Sequence, residues 1–100
     1  MLLTGCGDLA SIDNAELDDL DAVELARVRL GHDLFFDPGL SGAGDVSCGS
    51  CHEPDEFGSD GQATSTGTGG AKVGRNSPSV FNAALKGRQF WDGRAETLEE

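Results

Sequence analysis

Val23, Ala26, Leu30 and Leu34 recur at helical spacing along an otherwise polar stretch. That spacing predicts an amphipathic helix over Asp21–Phe35 with these four residues on its buried face. Asp21 is placed to cap the first turn, with Glu24 three residues on in a capping-box arrangement. Pro38 disfavours helical geometry at Asp37 and ends the element. Beyond it the periodicity is lost, and Gly42, Gly44, Gly49 and Gly58 punctuate a series of turns. Gly58–Gly74 is rich in glycine, threonine and serine. It reads either as a flexible linker or as an ordered loop whose small residues let backbone approach a neighbour closely. A second helical piece is expected around Ser79–Leu85, after Pro78, and Ala95–Glu100 reads as the first turns of another. The fold class expected is mainly α, with long glycine-rich loops.

Within the loop region lies Cys48-Gly49-Ser50-Cys51-His52. This is the C-x-x-C-H arrangement of c-type haem attachment. Two thiols two residues apart each form a thioether to one haem vinyl group, and the following histidine reaches the iron from the proximal side. C-x-x-C also occurs in zinc sites and in thioredoxin-like redox pairs. Zinc would need two more ligands, and only Cys6 and His32 remain, both far upstream. A redox pair should sit near a βαβ pattern, whereas this motif sits among glycines. Covalent haem on Cys48, Cys51 and His52 is therefore the expectation, in a cytochrome c-like haem domain.

Composition makes that cofactor structural as well as chemical. The 100 residues make one domain at most, and a chain this short buries only roughly 60–65% of its unfolded surface. Asp37–Ser79 holds ten of the fifteen glycines, and its larger apolar side chains are only Leu40, Val46, Phe57 and Val73. Such a segment cannot offset its own ordering entropy, so the haem is expected to form part of the core.

The net charge of −11 argues against a nucleic-acid partner. It is unevenly spread: residues 1–25 carry seven acids and no Lys or Arg, whereas residues 72–94 carry five cations against Asp92 alone. A solvated acidic leader and a mildly basic face account for this; a basic stretch near the haem propionates, or a docking surface, is the sharper reading. No stretch approaches the ~20 apolar residues of a membrane span. Leu3-Thr4-Gly5-Cys6 resembles a bacterial lipobox, whose cysteine is lipidated, without the charged and apolar regions that should precede it. The expectation is a truncated lipoprotein signal, then an acidic tether over residues 1–20, then a haem domain over 21–100. Because c-type haem is attached outside the cytoplasm, an export signal is expected, with a lipid anchor at Cys6.

Longer stretches carry a resemblance. Leu30-Gly31-His32-Asp33-Leu34-Phe35-Phe36-Asp37-Pro38, Leu40-Ser41, the haem motif, Asp60-Gly61 and Ser65-Thr66-Gly67 come first. Asn76-Ser77-Pro78-Ser79-Val80-Phe81-Asn82 and Gln89-Phe90-Trp91-Asp92-Gly93-Arg94 follow in order. Over residues 25–100 the chain resembles the N-terminal haem domain of the bacterial dihaem cytochrome c peroxidases, MauG-type enzymes included. The resemblance implies reduction of hydrogen peroxide to water with electrons from a small cytochrome c or a cupredoxin. It implies a peroxidatic haem here and a second haem c in a C-terminal domain beyond Glu100, and it admits a homodimer. It places Trp91 between the two haems on the electron path, although a lone tryptophan otherwise reads as core. It assigns Asn76 to a calcium ion at the domain interface, an oxygen donor suited to that metal; without it Asn76 reads as a turn residue before Pro78.

Two departures qualify what the resemblance implies. Alignment from Ser65-Thr66-Gly67 puts Thr68 where many relatives carry a removable distal histidine, and no histidine follows His52. The distal side is therefore expected to be open. His32 stands where the family often has lysine and is expected to be exposed on the helix rather than a ligand. The acidic residue that relatives place over the peroxidatic haem, a general acid–base group, is also expected beyond Glu100. Three readings remain: a peroxidatic domain; a single-haem electron carrier, whose second axial ligand would have to come from Lys72, Lys86 or His32; and a fragment not functional alone, whose missing half supplies the chemistry.

Overall fold

The computed structural model describes residues 18–100. Most of the expected acidic tether, and Cys6 with it, lies outside the described residues. The chain divides between His32 and Asp33 into two compact units. One α-helix, α1 (Ala22–Phe36), runs through the division. Its start follows the capping-box expectation: Asp21 Oδ1 accepts from the Val23 and Glu24 amides, both at 2.8 Å, and Glu24 Oε2 accepts from the Asp21 amide at 3.0 Å. Its end follows the proline. Asp37 is extended (φ −83°, ψ 111°), and its Oδ1 turns to accept from the Gly39 amide at 2.8 Å, starting the 3-10 turn Pro38–Leu40.

The expected buried face of α1 is not buried. Ala26 is exposed, and Val23, Leu30 and Leu34 are exposed by 60%, 59% and 40%. Apolar residues occupy one side by spacing, but spacing alone supplies no surface to cover them.

Residues 33–100 contain no ladder of strands. Short 3-10 turns at Cys48–Ser50, Pro54–Glu56, Thr68–Gly70 and Ala83–Leu85 alternate with three antiparallel bridges, Glu53 with Ser59, Thr66 with Lys72 and Gln89 with Ala95. Each bridge closes a seven-residue loop, so the backbone is satisfied locally rather than by sheet or bundle. The expected helical piece at Ser79–Leu85 is reduced to the single turn Ala83–Leu85, because Asn82 takes a left-handed conformation (φ 54°) that breaks any right-handed helix across it. Ala95–Glu100 forms no helix either. Ala95 is committed to its bridge, and the Glu96 amide is capped by Glu100 Oε2 at 2.7 Å.

The apolar core of the described residues is Ala95 alone, whereas thirteen large apolar side chains are exposed, Phe57 by 79% and Leu85 by 84% among them. One tight contact ties the end of α1 to the cysteine motif. A Cβ at Gly49 would stand 2.6 Å from the Phe36 ring, so only glycine lets that ring lie on the motif backbone. Asp21→Ala should remove the cap of α1 at a cost of about 1 kcal/mol, seen as a loss of far-ultraviolet helical signal at its N-terminal turn.

Candidate haem site

Ser47 and Ser50 build the turn that carries the thiols. The Ser47 amide donates to Ser50 Oγ at 3.0 Å, and the Ser50 amide donates back to the Ser47 carbonyl at 3.1 Å. Cys51 and His52 amides both donate to the Cys48 carbonyl, at 3.1 and 3.0 Å. In so tight a turn, residues three apart eclipse, which brings Cys48 and Cys51 to one side. Both are free thiols, Cys48 exposed and Cys51 half-buried, with Cys51 Sγ 3.9 Å from the Thr66 carbonyl.

His52 is held from the far side of the chain. Its Nδ1 lies 3.1 Å from the Gly58 carbonyl and 3.2 Å from Ser77 Oγ. Gly58 must be glycine twice over: its φ is +73°, and a Cβ there would meet Phe81 and Val80 at 3.0 and 3.1 Å. The Asn76–Pro78 segment is fixed by Ser59 Oγ donating to the Ser77 carbonyl at 2.9 Å and by Asn76 Nδ2 donating to the Gln62 carbonyl.

His52 and Trp91 line one cavity of about 530 Å³. Val80, Phe90 and Leu98 give it apolar walls, and Lys86 and Arg88 add cations. Trp91 is not core, being 65% exposed. It sits in the loop closed by Gln89 and Ala95, where Phe90 and Gly93 both have positive φ (63° and 65°), and its Nε1 donates to the Asn76 carbonyl at 3.0 Å. Asp92 beside it accepts from Arg75 at 2.8 Å and Arg94 at 3.1 Å, and Arg75 first, then Arg94, holds its carboxyl below the usual carboxylate range.

These residues fit a haem. Two free thiols and an imidazole share one turn, and the imidazole faces a cavity whose exposed apolar side chains suit a flat macrocycle. Asn76 touches the same site through Trp91. Among the described residues no three His, Cys, Asp or Glu side chains converge on a metal. His32 lies exposed on α1.

Thr68 is committed elsewhere. Asp45 Oδ1 accepts from Thr68 Oγ1 and Asp45 Oδ2 from the Gly69 amide, both at 2.7 Å. The stretch Ser65–Val73 is an ordered turn: the Gly67 amide donates to the Ala71 carbonyl at 2.7 Å, and the Val73 amide to Ser65 at 3.0 Å. Sequence reasoning missed Asp45, Gly58 and Ser77. Gly58 alone left a signal, as an isolated glycine just after the motif. The other two act across 23 and 25 residues.

The Gly69 amide, then Thr68, lowers the pKa of Asp45 from its usual 3.8. A depressed folded-state pKa leaves both bonds complete above the usual value and loses them only as pH falls through the lowered one. The Gly69 amide resonance should therefore titrate with a midpoint below 3.8, and Asp45→Asn should abolish that titration.

A family model described as di-haem cytochrome c peroxidase matches residues 25–100. The cytochrome c551 peroxidase of Pseudomonas aeruginosa is 52% identical over 72% of this chain and 21% of its own length. The methylamine utilization protein MauG of Methylophilus methylotrophus is 42% identical over 76% of this chain and 23% of its own. The crystal structure of a MauG-like protein associated with microbial copper homeostasis superposes with a TM-score of 0.71 and 35% identity, over 90% of this chain and 26% of that one. The chain thus spans about a fifth of the length of the curated relatives it matches.

Proposed function

Since the chain belongs to the di-haem cytochrome c peroxidase family, we propose that residues 21–100 are the peroxidatic haem domain of a larger enzyme. That enzyme reduces hydrogen peroxide to water with electrons from a small cytochrome c or cupredoxin. The observation that carries the reading is the meeting of His52 and Trp91 on one cavity beside two free thiols. When bound, the haem supplies the iron at which peroxide is reduced.

The chain's own residues do the rest. Cys48 and Cys51 would hold the haem by thioethers, and His52 would ligate its iron. The Gly58 carbonyl can only accept, so its bond to His52 places the proton on Nδ1 and leaves the Nε2 lone pair for iron. Val80, Phe90 and Leu98 exclude water from the apolar wall. Trp91, fixed through Nε1 to the Asn76 carbonyl and exposed where it lines the cavity, is the side chain that electrons from a C-terminal haem domain would meet. Thr68, held by Asp45, offers no imidazole to the iron. A calcium ion at Asn76 would draw on carbonyl and water oxygens beside the Asn76 amide oxygen. Export to the periplasm, a lipid anchor at Cys6 and a homodimer complete the proposal for the whole protein.

Ferric protein matured with haem-attachment machinery should show a covalent c-type Soret band with a high-spin charge-transfer feature, and should bind cyanide without prior reduction. A fully low-spin spectrum would favour a single-haem electron carrier instead. In the full enzyme, His52→Ala should abolish peroxide turnover while the thioethers persist.

A further inference from the structure

We propose that Arg75 is a positioning residue for Trp91, its guanidinium anchoring Asp92 and so fixing the adjacent indole against the Asn76 carbonyl. The inference rests on the proposed passage of electrons through Trp91. Burial does not fix that side chain, which is 65% exposed where it lines the cavity. Its polar contacts must do so. Trp91 Nε1 donates to the Asn76 carbonyl at 3.0 Å, and Arg75 Nη1 donates to Asp92 Oδ2 at 2.8 Å. Two adjacent residues of one segment thus hold two adjacent residues of the other, in antiparallel order. Among the described residues no backbone hydrogen bond joins the two segments, so these side chains make the polar junction.

A single bond at Nε1 leaves the indole free to pivot about it, and a second contact one residue along removes that freedom. Arg94 does not supply that contact, although it also binds Asp92. Its Nη1 donates to Asp92 Oδ1 and Oδ2 at 3.2 and 3.1 Å, and its guanidinium lies 3.6 Å from the Phe90 ring centroid. Phe90, Asp92 and Arg94 all belong to the loop closed by Gln89 and Ala95, so Arg94 stiffens the loop without tying it to Asn76. Arg75 reaches Asp92 from 17 residues away, and it is the neighbour of the residue whose carbonyl receives the indole.

Trp91 is the only tryptophan of the chain, so its indole N–H gives a single resonance. Solvent exchange of that proton in the haem-loaded chain, kept diamagnetic as the ferrous carbon monoxide adduct, tests the role. Arg75→Met keeps the apolar stem without the donor and should speed exchange about two- to fivefold, the loss expected of an exposed ion pair. Arg75→Lys supplies the one donor this contact needs and should restore the wild-type rate. Arg94→Met, which leaves the junction in place, should change the rate less. In the full enzyme, Arg75→Met should slow electron transfer between the haems while the potential of the peroxidatic haem stays unchanged. General loosening of the fold would not give that split. Equal exchange in the wild type and Arg75→Met, or an equal effect in Arg94→Met, would overturn the role of Arg75. Unchanged peroxide turnover in Trp91→Phe would instead sink the electron path on which the inference rests.

Discussion

Apolar surface that the chain does not cover by itself governs this structure. Among the described residues only Ala95 is a buried hydrophobe, while Phe57, Leu85 and Trp91 are mostly exposed. Covering side chains of this size is worth about 1.5–3 kcal/mol each, which a chain of this length cannot gather from its own packing. On the proposed function, a macrocycle tethered at Cys48 and Cys51 would supply the missing surface at the cavity that Val80, Phe90, Trp91 and Leu98 line. Such covalent bonds would matter thermodynamically as well as chemically, since a tethered ligand does not lose its translational freedom afresh each time the chain closes on it.

What the chain does provide is a set of small, self-satisfied loops. Three bridges close the 53–59, 66–72 and 89–95 loops, and the first and third each present one part of the site. The first carries Gly58 to His52, the second carries Thr68 to Asp45, and the third displays Trp91. Side-chain bonds then cross between segments distant in sequence: Ser59 to Ser77, Ser79 Oγ to the Phe57 carbonyl at 2.6 Å, and Trp91 to Asn76. The geometry around the imidazole is thus set by polar contacts, and the apolar walls of the cavity are left uncovered.

What was readable beforehand follows from how local each cause is. The Asp21 cap, the Pro38 stop and the Cys48–His52 turn depend on residues within four positions of one another, and all three stand as the sequence implied. Burial of Val23, Leu30 and Leu34 depends on a covering surface, and helical spacing cannot specify one. The Ser79–Leu85 helix is interrupted at Asn82, whose short polar side chain tolerates the left-handed region, and the Val80 amide before it bonds to the Gly58 carbonyl instead. Asp45 and Ser77 were unreadable because their partners lie 23 and 25 residues away, and neither residue type marks its role. Motif order along the chain carried the family; the shell around His52 emerged only from the folded backbone.

The central claim is that the haem completes the core, and denaturant unfolding of the haem-loaded chain beside a Cys48→Ser/Cys51→Ser chain tests it most directly. The account predicts a cooperative transition for the haem-loaded chain and a shallow, non-cooperative one for the double variant. Two cooperative transitions with the same midpoint and slope would contradict it, and would place the core within the polypeptide alone.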